Sequence, residues 1–131
     1  MTDIPGPGRI RVLIADDQRV VRDGLSMLVG LIDGVEIVGT ACDGAEAVRL
    51  AQAHRPDVVL MDLHMPGTDG IAATADLRRR LPATRVLVLT ACASEDAIVP
   101  ALRAGARGYL TKDASAEQIE AAIHAVHAGQ T

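Results

Sequence analysis

The sequence has no tryptophan or phenylalanine and a single tyrosine, Tyr109. A lone tyrosine is ordinarily half-packed filler, and here it would be the sole reporter in near-ultraviolet spectroscopy. Only two cysteines are present, Cys42 and Cys92. Neither their number nor their spacing makes a disulfide framework or a zinc site, which points to a reducing cytoplasm. Basic residues are not in excess: the formal net charge is -4, so there is no general electrostatic reason to bind nucleic acid or an anionic membrane. No apolar run is long enough to span a bilayer, and no membrane association is expected. Residues 1–8 (MTDIPGPG) lack the basic and apolar regions of a signal peptide and read as a flexible N-terminal tail.

What is present is a repeated alternation of strand and helix periods within 131 residues, a length that suits one compact domain. Ile10 to Ala15 reads as a strand, and Val21, Leu25, Leu28 and Ile32 then recur at helical spacing. Val35 to Thr40 is a weaker strand, followed from Asp43 and Glu46 by a helix start that resembles a capping box, running through Ala53. Val58 to Met61 is the third strand; its helix begins near Asp69 and stops at Leu81-Pro82, with Arg78, Arg79 and Arg80 complementing the negative end. Arg85 to Thr90 is the fourth strand, and Ser94 opens a helix carrying Ile98 and Leu102 that stops at Ala104-Gly105. Pro100 predicts a late start or a local distortion of that helix. Gly108 to Thr111 is the last strand, and Ser115 with Gln118 boxes the start of a helix whose Ile119, Ala122, Ile123 and Val126 share one face. Five nearly continuous apolar strands alternating with five helices imply an α/β fold, a parallel sheet covered on both faces.

Ligands of such sheets bind outside the carboxyl ends of the strands. At those ends the chain places Asp16 and Asp17, Asp62, Thr90 and Lys112. Three converging carboxylates would repel one another unless a cation sat among them, and oxygen ligands with room for water and phosphate suit magnesium. Asp62 could then act as a phosphoryl acceptor, Thr90 could donate a hydrogen bond to the phosphoryl oxygens, and Lys112 could pair with them. Each residue has a blander reading alone: Asp16-Asp17 as a helix cap and solvated turn, Thr90 as a strand end, Lys112 as a surface charge, His64 as an exposed loop residue. Their joint occurrence at four strand ends favours the site for all but the His64 side chain.

The stretches LIADDQ, VVLMDLHMPGTDG, VLVLTA and GYLTKD, in this order, resemble the receiver domain of bacterial two-component response regulators. DDQRVVRDGL and GARGYLTKDAS look most like the NarL/FixJ-type subfamily, which usually carries a C-terminal helix-turn-helix DNA-binding domain of the LuxR type. The resemblance runs from about Arg9 onward, with residues 9–128 as the receiver and 129–131 as the start of a linker or a C-terminal tail. It implies a flavodoxin-like doubly wound sheet in the order 2-1-3-4-5, and Asp62 as the phosphoacceptor, with Asp62 and Lys112 carrying the chemistry. It further implies Asp17 and Asp62 as Mg2+ ligands, with Asp16 acting through water and the backbone carbonyl of His64 as another ligand. Thr90 and Tyr109 become a switch pair, and Lys112 the phosphate partner. His64 and Cys92 occupy variable positions flanking the phosphorylation site. Asp113 stands where many receivers have proline after the lysine, leaving the Lys112-Asp113 peptide cis or trans.

The expected function is that of a signalling receiver rather than an enzyme acting on an external substrate. It would accept a phosphoryl group from a sensor histidine kinase, form a phosphorylation-linked homodimer, and control transcription through a DNA-binding domain absent from this chain, since AVHAGQT falls where the subfamily continues into a linker. A scaffold regulated without phosphorylation would have no need of the acidic triad, Thr90 and Lys112. A metal-dependent phosphatase would need a second acid-base group near Asp62, which the third-strand motif does not offer.

Overall fold

The computed structural model describes residues 9–65, 67–91 and 95–129. The expected tail at residues 1–8, Cys92, the Ser94 helix cap and residues 130–131 lie outside the described residues. Strands β1 (Ile10–Ala15), β2 (Val35–Ala41), β3 (Val58–Asp62), β4 (Arg85–Thr90) and β5 (Gly108–Thr111) form one parallel sheet in the order β2-β1-β3-β4-β5. They alternate with helices α1 (Arg19–Gly30), α2 (Gly44–His54), α3 (Gly70–Arg80), α4 (Glu95–Ala104) and α5 (Ala116–His127).

Strand residues alternate between the two faces of a sheet, and the core divides accordingly. Val12, Ile14, Val58, Leu60 and Leu87 pack with Val29 of α1 and with Ile119, Ile123 and Val126 of α5. Leu13, Ala15, Val59, Met61, Val86 and Val88 pack with Ala47 and Ala51 of α2, Ala73 and Leu77 of α3, and Ala101 of α4. Small residues on α2, α3 and α4 let those helices lie close to the sheet. The winding direction reverses between β1 and β3, whose register pairs Ala15 with Met61. The residues after Ala15 and those at the end of β3 are therefore neighbours at the switch point, where this architecture places ligands.

Local chemistry sets the helix starts. Asp43 and Asp69 each accept a hydrogen bond at 2.8 Å, from the amides of Glu46 and Ala72, and Ser115 with Gln118 completes a reciprocal capping box. At α2 the box is displaced by one residue, since Glu46 accepts from the amide of Cys42 at 2.7 Å rather than from that of Asp43. That hydrogen bond is also the main reason the Glu46 carboxyl sits below its usual range.

Two helices depart from expectation. On α1 the buried residue is Val29, not Leu28, which is 40% exposed. The inward positions follow a four-residue spacing through Val21, Leu25 and Val29, and Ile32 packs from beyond the helix end. Helix α4 does not start late: it runs from Glu95 straight through Pro100. Burial of Ile98, and of Ala101 within the core cluster that includes Val86 and Val88, offsets an interior-proline cost of roughly 3 kcal/mol. Leu102 turns outward and lies 43% exposed. The Lys112-Asp113 peptide, open on sequence grounds, is trans, as are all peptide bonds among the described residues. No described helix is long and apolar enough to cross a membrane.

Candidate functional site

Asp16 and Asp17 follow the last residue of β1, and Asp62 is the last residue of the adjacent β3. One carboxylate oxygen from each lies within 4.8 Å of the other two. Asp16 and Asp62 are buried, whereas Asp17 is exposed and leaves the cluster open to solvent on one side. Lys112, one residue past β5, reaches across β4 to bring Nζ to 2.9 Å from Asp16 Oδ2 and 3.4 Å from Asp62 Oδ2. Its backbone amide donates to the carbonyl of Thr90 at 2.9 Å, which ties the lysine to the end of β4. Thr90 is fully buried and stands opposite Thr111 of β5.

The remaining oxygens are only partly satisfied. Asp16 Oδ1 accepts the amide of Gln18 at 2.9 Å, and Asp62 Oδ1 accepts that of His64 at 3.3 Å. Asp16 Oδ2 is buried, and the 2.9 Å approach of Lys112 Nζ is the contact that compensates it. Burial pushes the Asp62 carboxyl above the usual carboxylate range, and the Asp16 charge adds to this, while the His64 amide and Lys112 pull the other way. For Lys112, burial opposes the charge, but the contact with Asp16 and the charges of Asp62 and Asp16 prevail and raise its pKa. One cation serving two buried carboxylates and a hard all-oxygen donor set fit a divalent cation. The acidic cluster could hold a metal ion.

This imbalance has a measurable consequence. Because the native Asp62 binds its proton more tightly than the unfolded one, stability falls as pH rises from the unfolded to the folded pKa of that group. The destabilisation is complete above the folded value and absent below the unfolded one. In chelator at neutral pH, Asp62→Asn is therefore expected to stabilise the protein by on the order of 1 kcal/mol in urea unfolding. A loss of stability would show that Asp62 is already compensated.

Of the residues singled out in the sequence, the fold brings Asp16, Asp17, Asp62 and Lys112 together and sets Thr90 at the neighbouring strand end. The side chain of His64 is exposed, and only its amide touches the cluster. Tyr109 lies apart, 47% exposed at the rim of an apolar groove with Leu102 and Ala122.

Two glycines escaped sequence reasoning. Gly70, the first residue of α3, packs against the backbone of the Asp62 turn so closely that a Cβ would lie 2.1 Å from the Asp62 carbonyl oxygen and 2.7 Å from Leu63 Cα. Its amide donates to the Leu63 carbonyl at 3.1 Å. Gly44, at the corresponding position of α2, donates to the carbonyl of Thr68 at 3.1 Å. The turn after Asp62 is thus clamped between two helix starts. The available signal was the repeated Asp-Gly at 43–44 and 69–70, a cap followed by a residue without a side chain.

Comparison with known proteins gives the same family by sequence and by fold. The family model for the response regulator receiver domain matches residues 12–124. The chain is 42% identical over 123 residues to the oxygen regulatory protein NreC of Staphylococcus haemolyticus, covering 93% of this chain but 57% of that protein. It superposes on the signal receiver domain of NarL from Mycobacterium tuberculosis with a TM-score of 0.90 and 38% identity, over 95% of this chain and 100% of that one. It also matches the CheX-CheY-BeF3-Mg+2 complex of Borrelia burgdorferi with a TM-score of 0.83 and 28% identity, over 89% of this chain and 88% of that one. The chain spans little more than half the length of the curated relative it matches. It belongs to the response regulator receiver family, as a signalling domain homologous to those of NreC and NarL.

Proposed function

We propose that this receiver takes a phosphoryl group from a phosphohistidine of a sensor kinase onto Asp62 in the presence of Mg2+, and that the modification alters its interaction surface. The observation that carries this reading is the meeting of three carboxylates within 4.8 Å of one another, with Lys112 Nζ against two of them. A carboxylate oxygen of Asp62 attacks phosphorus, the P–N bond to the kinase imidazole breaks, and the electron pair leaves on that nitrogen, which takes a proton. Asp17 and Asp62, together with the His64 carbonyl, would hold the ion directly, and Asp16 through water. Bound there, Mg2+ would offset the negative charge of both carboxylate and phosphoryl group. The CheY structure, with BeF3 and Mg+2 in its complex, supports the choice of ion.

Lys112 starts in contact with the carboxylates and pairs with the phosphoryl oxygens once they arrive, while the Thr90 hydroxyl donates to them from the end of β4. As Thr90 is drawn inward, Tyr109 turns from its exposed rotamer into the space it leaves, a discrete step between packed arrangements. The affected face, α4, β5 and α5, is where a phosphorylation-linked homodimer would form. The receiver occupies residues 9–128 and would act in the cytoplasm. The length of NreC beyond the matched part leaves room for an effector, and by the resemblance a DNA-binding domain would stand there and control transcription.

Two experiments separate the roles. Asp17→Ala is expected to weaken Mg2+ binding and phosphoryl uptake together, whereas Lys112→Ala keeps the ion but loses the coupling to the surface. Magnesium titration giving wild-type affinity for Asp17→Ala would contradict the ligand assignment. Beryllofluoride with Mg2+ is expected to change the near-ultraviolet circular dichroism, which Tyr109 dominates as the sole aromatic residue, and Thr90→Ala to shrink that change. An unchanged Tyr109 signal at saturation would reject the Thr90–Tyr109 coupling while leaving Asp62 in place.

A further inference from the structure

At the opposite edge of the sheet from the carboxylates, a cleft of about 480 Å³ opens between α3 and α4. Its lining includes Arg78 and Arg107, the buried Thr74 and Thr84, and the apolar Val86 and Leu102. Among the described residues, none that lines it is acidic. Among the described residues neither guanidinium has a carboxylate within salt-bridge distance. Asp76, the nearest acidic residue to Arg78 along α3, is occupied by Arg79 and Arg80 on its own helix.

The bland reading of Arg78 is a counter-charge to helix ends, since it sits in the last turn of α3 and its Nη1 lies 3.4 Å from the Arg103 carbonyl of α4. That reading does not extend to Arg107, which belongs to no helix and is fixed by its amide, donated to the Val86 carbonyl at 2.8 Å. Nor does it explain why the Arg78 stem packs against Gly105 in the cleft lining. Gly105, with φ of +120°, has its missing Cβ position 2.7 Å from Arg78 Cδ, so any side chain there would displace the arginine. The two threonine hydroxyls already donate, to the carbonyls of Gly70 and Pro56 at 2.6 and 2.8 Å. Their lone pairs and the apolar wall leave charge recognition to the two arginines.

We infer that this cleft is a binding site for a small organic oxyanion, with Arg78 and Arg107 as its charge-recognising residues. The volume lies within the range of small-molecule pockets, and each guanidinium can offer two parallel N–H donors to a pair of oxygens on a phosphate monoester or a carboxylate. An occupant would bridge α3, α4 and the start of β5. The inference is independent of whether Asp62 is phosphorylated.

The test is an amide-resolved NMR titration of the full chain at constant ionic strength with adenosine monophosphate, succinate and, as uncharged control, adenosine. Saturable shifts are expected at Arg78, Thr84 and residues 102–108 with one or both anions and none with adenosine, and the stronger anion identifies the source. Arg107→Gln is expected to weaken that binding about ten-fold or more, the scale of losing a charge-assisted hydrogen bond, with Mg2+ affinity unchanged as a control for folding. Arg78→Gln serves as the second variant. Shifts spread over the other arginines at this edge, Arg9, Arg11 and Arg55, or shifts indifferent to Arg107→Gln, would overturn the site. So would a titration in which neither anion saturates.

Discussion

Asp62→Asn is expected to abolish phosphoryl uptake from acetyl phosphate, reducing the incorporated label to background rather than lowering it by a few-fold. The amide keeps the size and place of the carboxylate at the end of β3 but removes the anionic oxygen that attacks phosphorus. No other described carboxylate can substitute without rearrangement: Asp16 is buried, with Oδ1 accepting the Gln18 amide and Oδ2 against Lys112, and Asp17 is exposed in the turn after β1. The same substitution is expected to raise stability in chelator, so loss of uptake cannot be attributed to unfolding. Opposite signs for function and stability are the signature of a residue held in place against its own electrostatic preference. Uptake at the wild-type level would remove Asp62 from the reaction.

Gly70→Val is expected to destabilise the chain by about 3 kcal/mol or more and to impair Mg2+ binding, although residue 70 offers no ligand atom. The added Cβ would start 2.1 Å from the Asp62 carbonyl oxygen, and the obstacle is backbone, which cannot rotate aside as a side chain can. Either α3 moves off the sheet, opening the packing of Ala73 and Leu77, or the Asp62 turn moves and the carboxylate with it. Urea unfolding measures the first outcome, and magnesium titration of the folded fraction measures the second. Gly24→Ala, whose Cβ position meets nothing within 4 Å, is the control and should leave affinity unchanged and stability undiminished, since alanine in an exposed helix interior is favoured over glycine by up to about 1 kcal/mol. Wild-type stability and affinity for Gly70→Val would mean that the turn is not clamped as described.

Much of this architecture was legible in the sequence because its signals were local. Strands β1, β4 and β5 begin and end where the apolar runs do, since buried parallel strands are continuous in hydrophobicity and are bounded by polar turns. Asp43, Asp69 and Ser115 cap helices as their types predict. The coming together of Asp16, Asp17, Asp62 and Lys112 was legible for a different reason: strand ends in such a sheet share one edge, so residues far apart in sequence become neighbours once the topology is known.

What remained hidden depends on distances between elements. Periodicity could not tell Leu28 from Val29, because a rotation of one residue decides which side chain meets the sheet. The course of α4 through Pro100 is decided by burial of Ile98 and Ala101, a tertiary effect that local propensity does not contain. The clamp by Gly70 depends on a backbone approach that composition cannot register. Likewise, the arginine-lined cleft joins Arg78 of α3 to Arg107, the residue before β5, with no motif to mark it.

The most direct measurement is the position of the modification itself. The intact chain, incubated with acetyl phosphate and Mg2+, reduced with borohydride to trap the acyl phosphate and digested, is read by tandem mass spectrometry. The account predicts one modified residue, Asp62, in the magnesium sample and none when chelator replaces the ion. Modification at Asp16 or Asp17, or equal labelling of Asp62 with and without magnesium, would contradict it.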